Sequence, residues 1–117
     1  MTDIEYKTSP PTWQEYFQLF SSTGWMPILR ISEDDLKRVF ENTWYWITAY
    51  QNGSTVGCGR LLLDGALYAL ICDIIVMPDY QNKGIGNAIL KQLGVVTEQL
   101  IHRFLINALI FKAIINN

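Results

Sequence analysis

Hydrophobic and polar positions along this chain change period several times, and each change marks an element. Ile4-Glu5-Tyr6-Lys7 alternates and predicts a short strand. Ser9-Pro10-Pro11 breaks it, because a residue before proline is pushed away from helical backbone. Trp13, Tyr16, Phe17 and Phe20 then recur at helical spacing, and Thr12 with Glu15 makes a capping box for a helix over 13–20. Ser21-Ser22-Thr23-Gly24 ends that helix. A second helix is predicted from Ser32, with Glu33, Asp34 and Asp35 in the first turn, where the helix dipole favours acids. Leu36, Val39 and Phe40 supply its buried face. Residues 44–50 are rich in strand formers, and Asn52-Gly53 is a hairpin signal. Residues 55–63 predict the next strand, in which Gly57 and Gly59 mark a bulge or a close backbone approach. Asp64-Gly65 turns the chain into a further strand over 66–76. Three strands joined by tight turns make an antiparallel meander.

The stretch from Ile71 to Ala88 organises the rest. Ile74, Ile75 and Val76 are β-branched and carry no helical period, and Pro78 ends their run. Gly84 and Gly86 bracket Ile85, and a helix follows to about residue 100, weakened at Gly94 and Val95-Val96. Strand, polar loop, glycine turn and helix start form an anion-binding arrangement. Glycines let successive N–H groups converge on one point. The first N–H groups of a helix lack internal acceptors and sit at the positive end of its dipole. Lys83 adds a cation, so the segment reads as a pyrophosphate cradle. A Walker A loop is excluded, because no Gly-x-x-x-x-Gly-Lys-Ser/Thr run exists. The dinucleotide fingerprint needs a third glycine where Ile89 stands.

Taken whole, Val-x-Pro-Asp-Tyr-Gln-x-Lys-Gly-Ile-Gly resembles the acetyl-CoA signature of the GNAT-type N-acetyltransferases, Gln/Arg-x-x-Gly-x-Gly/Ala, with Gln81, Gly84 and Gly86 in its places. The resemblance is close over residues 71–93 and extends from the N-terminus to about residue 100. It implies an α+β (mixed α/β) fold, a GNAT-like antiparallel central sheet flanked by helices, in one domain over 1–117. It implies acetyl-CoA as cosubstrate and the amine of a small molecule as acceptor. Gln81, Asn82, Lys83, Gly84, Ile85, Gly86 and Asn87 would bind pyrophosphate. Backbone groups of Ile74 and Val76 would hold pantetheine and polarise the thioester carbonyl. An amine must lose a proton before it attacks, commonly to a carboxylate through water. Asp73 resembles the acid found there in polyamine-type relatives, and a carboxylate inside an apolar strand has either that role or a structural hydrogen bond. Cys72 stands where some relatives carry glutamate and reads as a small buried hydrophobe. Neither Tyr68 nor Tyr80 matches the family's acid tyrosine on its late helix, so no general acid is assigned. His102, the sole histidine, follows a helix face with a surface or helix-end role. Trp25, Met26, Tyr45 and Trp46 could wall an acceptor site or simply pack the core. The acceptor itself is not readable.

Residues 95–117 depart from the family pattern. A fifth strand parallel to the fourth fits 104–111, leaving nothing for the last helix and two strands; alternatively 95–115 continues as helix. Either way the segment is apolar on all sides and needs cover, which predicts a homodimer through the C-terminus. A catalytically impaired CoA-binding module is the alternative function. Composition adds boundaries. With half the residues hydrophobic, 17% charged and a net charge of −2, there is no general reason to expect nucleic-acid or membrane-surface partners. The apolar run 104–115 is too short to span a bilayer and contains Asn107 and Lys112. Cys58 and Cys72 lie in predicted strands without a disulfide framework, and no signal peptide precedes the domain, so a cytoplasmic protein is expected. No metal-ligand cluster is seen.

Overall fold

The computed structural model describes residues 3–64, 68–104 and 115–116. Its elements run β1 (Glu5–Lys7), α1 (Trp13–Ser21), α2 (Trp25–Leu29), α3 (Glu33–Glu41), β2 (Tyr45–Gln51), β3 (Ser54–Leu63), β4 (Ala69–Val76), a short 3-10 turn (Pro78–Tyr80), α4 (Ile85–Phe104) and β5 (Ile115–Asn116). The sheet has the order β1-β2-β3-β4-β5. The first four strands pair antiparallel, and β5 joins β4 in parallel.

Local chemistry sets the helix starts. The Glu15 N–H donates to Thr12 Oγ1 at 3.2 Å while the Thr12 N–H donates to Glu15 Oε1 at 2.7 Å, closing the expected box on α1. Ser32 and Asp35 do the same for α3. Asn52 and Gly53 both have positive φ, 51° and 79°, as a two-residue hairpin of this hand requires. The helix α2 was not foreseen; Gly24 and Arg30, both left-handed, bracket it and isolate a single turn from its neighbours.

The sheet is covered on both faces. On one, Ile85, Ile89 and Leu93 of α4 pack against Ile47, Ala49, Leu61, Ile71, Ile74 and Val76. On the other, Tyr16, Leu19 and Phe20 of α1 and Leu36 of α3 meet Trp46, Cys58 and Ile75. Gly59 is the point of closest approach: a Cβ there would lie 2.5 Å from Ile89 and 2.9 Å from Leu93. Its missing side chain lets α4 lie flat on β3.

Two expectations change. Strand β4 begins at Ala69 rather than at residue 66; residues 65–67 lie outside those described. The fifth strand does not start at 104, because Phe104 closes α4. Nor does helix run on to 115, because Ile115 and Asn116 pair with Ile74 and Ile75. Residues 105–114, where the strand was expected, lie outside those described.

Candidate active site

The candidate cradle lies at the end of β4. The Met77 N–H donates to Val56 O at 2.8 Å. Alternation along the strand therefore turns the N–H and C=O of Val76 to the opposite edge, away from β3. The chain makes one 3-10 turn, and the Gln81 side chain returns, donating from Nε2 to Val76 O at 3.0 Å. Gln81 thus ties the loop to the strand. Asn82 and Gly84 follow at φ 63° and 85°. Asparagine tolerates that region better than most residues, and glycine adopts it freely. The Ala88 N–H makes the first bond of α4, to Gly84 O at 3.0 Å. The N–H groups of Ile85, Gly86 and Asn87 are left without intrahelical acceptors. Ile85 and Ile89 are buried, at 3% and 0% exposure, and anchor this helix start in the core. Asn82, Lys83, Gly84 and Asn87 are exposed. The Lys83 ammonium lies over the Tyr80 ring, 5.5 Å from its centroid. A cavity of about 610 Å³ adjoins the loop, lined by Asp3, Ile4, Gln51, Asp79, Tyr80, Lys83 and Ile85. Converging amides, a dipole and a cation can hold a phosphate group.

Ile74 and Val76 share the outer edge of β4, but they are placed differently. Ile74 pairs with Ile115 of β5. The pairing continues at Ile75 with Asn116, and Val76 follows directly, with its carbonyl taken by Gln81.

Asp73 is not free. Arg60 of β3 reaches it with Nε at 2.7 Å and also with Nη2, both on Oδ2. Arg60 Nη1 donates to Thr43 Oγ1 at 3.3 Å, and that hydroxyl donates to Val39 O at 2.9 Å. Arg60 is 8% exposed. Burial, the largest single influence, works to lower its pKa, but the charge of Asp73, the neighbouring Tyr16 and Cys72 and the hydrogen bond to Asp73 together outweigh it and hold the guanidinium above its usual range. Nearby, burial pushes the Cys72 thiol up to about 11, with Arg60 opposing and Asp73 adding. Burial also raises Cys58. Both thiols are therefore protonated and inert at neutral pH. The Tyr16 hydroxyl is fully buried and has no partner among the described residues. Arg60 and Thr43 were missed from sequence, and Tyr16 was read only as part of the helical aromatic stripe. A signal was available: Arg60 and Asp73 are the sole charged residues of β3 and β4.

The expected aromatic wall divides. Trp25 stacks edge-on against Phe20 at 5.6 Å, and Trp46 does so against Tyr16 at 5.2 Å, both in the α1 layer with Met26. Tyr45 packs on the α4 side. Tyr68 is half-exposed before β4, and His102 falls in α4 with its side chain outside those described.

The model of the Acetyltransferase (GNAT) family matches residues 7–105. The chain belongs to that family. No curated protein matches it. Among solved structures it is similar to a protein of unknown function from meticillin-resistant Staphylococcus aureus, at TM-score 0.72 and 21% identity, over 98% of this chain and 80% of that one. It is similar to a GNAT family acetyltransferase from Streptococcus pneumoniae, at TM-score 0.62 and 22% identity, over 96% of this chain and 77% of that one. A PaiA N-acetyltransferase from Thermoplasma acidophilum, solved with coenzyme A, aligns at TM-score 0.62 and 14% identity, over 83% of this chain and 73% of that one. These likenesses give the GNAT fold. Among the described residues no group of acids, histidines and cysteines is arranged to hold a metal ion, and no helix is long and apolar enough to cross a membrane.

Proposed function

We propose that this chain binds acetyl-CoA and transfers the acetyl group to the amine of a small molecule. The observation that carries the reading is the start of α4 beyond the end of β4, where the N–H groups of Ile85, Gly86 and Asn87 lack intrahelical acceptors directly after the exposed Lys83 and Gly84. In this reading the amides of Ile85, Gly86 and Asn87, with Lys83, hold the pyrophosphate, while Asn82 and Gly84 shape the turn. Gln81 serves by locking the loop to Val76. Pantetheine runs along the outer edge of β4, where Val76 and Ile74 present backbone groups. Ile74 is shared with β5, so acetyl-CoA and β5 contend for one edge. Asp73 is the acid β4 offers to the amine; its Oδ2 belongs to Arg60, and Oδ1 carries no bond among the described residues. The general acid is left unassigned.

Calorimetric titration with coenzyme A tests the cradle, and thiol release with a panel of amines tests the reaction. A folded protein that ignores coenzyme A would sink the proposal. The pairing of β5 with Ile74 favours one second reading, a catalytically impaired CoA-binding module. Binding without turnover of any amine would select it. Composition supports a cytoplasmic setting, and the apolar run 104–115 supports a homodimer, which light scattering at micromolar concentration would show.

A further inference from the structure

The two halves of β4 are out of phase. Ile71, Ile74 and Val76 all face α4, while Ile75 faces α1. A regular strand alternates, so the step of three from Ile71 to Ile74 requires an extra residue. The register locates it: Cys58 opposes Ile75 and Arg60 opposes Cys72, which sets Gly59 alone against Asp73 and Ile74. Asp73 is the residue that bends, at φ 50°. A left-handed residue other than glycine inside a strand must be held there by its surroundings.

Arg60 is the side-chain partner of Asp73. The bulge carries the Asp73 carboxylate into the α1 layer, where two nitrogens of one guanidinium grip Oδ2. Arg60 is itself fixed by Thr43 and by burial. A buried ion pair is a weak source of stability, since apolar residues of the same volume often do as well. Its distinctive effect is geometric. The planar fork fixes both the position and the tilt of the carboxylate, and through it the backbone at residue 73. Beyond that point the strand's edge groups are set by the bulge: with the Met77 N–H committed to Val56, the N–H of Val76 faces outward.

We infer that Arg60 is a positioning residue of this site: acting through Asp73, it clamps the β4 bulge and sets the outer edge of β4, so that the backbone N–H groups of Val76 and Ile74 meet the thioester carbonyl of acetyl-CoA once the cosubstrate displaces β5 from that edge. This rests on the acetyltransferase reading above and adds to it a residue that touches neither cosubstrate nor amine. Amides aimed in advance at a carbonyl that gains negative charge are a large source of rate. Amides on an unpinned strand are not.

The test uses acetyl-CoA carrying carbon-13 in its thioester carbonyl, bound to the full chain and read by infrared difference spectroscopy. No acceptor is needed. In the wild type the carbonyl stretch moves to lower frequency than in free acetyl-CoA, because hydrogen bonds polarise it. In Arg60→Gln the stretch returns towards the free value although acetyl-CoA still binds through the α4 cradle. Arg60→Lys keeps the charge without the fork and falls between them. Should Arg60→Gln fail to fold, the double variant Arg60→Met with Asp73→Asn leaves no orphaned charge and is expected to give the same loss. With an amine that the wild type accepts, kcat in Arg60→Gln falls by about a hundredfold while coenzyme A affinity changes little. An unchanged carbonyl shift in either folded variant overturns the inference, as does a wild type that binds acetyl-CoA with no shift; the acetyltransferase reading survives both. A wild type that does not bind acetyl-CoA ends both together.

Discussion

The two faces of the sheet are held by different chemistry. The α4 face is almost entirely aliphatic: Ile47, Leu61, Ile71, Ile74, Val76, Ile85, Ile89 and Leu93 interlock, and Gly59 brings helix and strand together. The α1 face is aromatic, with Tyr16, Phe40 and Trp46 in mutual contact, and it buries an ion pair and a hydroxyl that has no partner among the described residues. The difference follows from what each face must fix. Aliphatic packing is dense and intolerant of added volume, which suits a helix whose first turn is proposed to hold a phosphate. Polar groups in the other layer contribute little net stability, but they fix directions that shape-filling alone leaves loose.

The largest effect is expected at the cradle. Gly86→Val places a branched side chain at the buried second residue of α4, between the amides and their phosphate. Coenzyme A binding should be abolished in calorimetry while the protein stays folded; wild-type affinity would remove the cradle from its assigned role. Next comes Gly59→Ala, which probes the dense face directly. With Ile89 2.5 Å from the new Cβ, the variant should lose about 2–3 kcal/mol in urea unfolding. A loss under about 0.5 kcal/mol, the range of an ordinary surface change, would mean that the α4 face is looser than its contacts suggest.

The polar face answers to pH. Folding raises the Cys72 thiol to about 11, so the native state holds that proton more tightly than the unfolded chain does. Its contribution is complete below the unfolded thiol's pKa of about 8.5 and is lost as pH rises towards the folded value. The urea midpoint should decline through that window, and less steeply in Cys72→Ala. Equal slopes would assign the decline to other groups. The smallest effect is Tyr16→Phe. It removes a buried hydroxyl without a partner among the described residues, so it should be neutral or stabilising by about 1 kcal/mol at most. A clear loss of stability would show that the hydroxyl is bonded in solution.

The local sequence alone determined the elements that need only their near neighbours. Thr12 with Glu15, and the acids after Ser32, start helices because a cap satisfies amides three residues away. Asn52-Gly53 turns a hairpin because those residues accept positive φ. Gly59 was legible as a close approach, though not what approaches it. The turn and helix start of the proposed cradle were legible for the same reason, since Gln81 to Asn87 makes its geometry within one loop and one helical turn. Tertiary structure decided whatever depends on a partner far along the chain. Asp73 read as a site acid or a structural hydrogen bond, and only the fold shows that Arg60, thirteen residues earlier, lies on its carboxylate. The bulge at Asp73 is invisible in an apolar run that scans as plain strand, because an extra residue shows only against the strand beside it. Tyr45 and Trp46 looked like one wall, yet adjacent strand residues face opposite layers. The edge of β4 that meets β5 at Ile115 could not be assigned from sequence, because a two-residue strand carries no period of its own and exists only through its pairing.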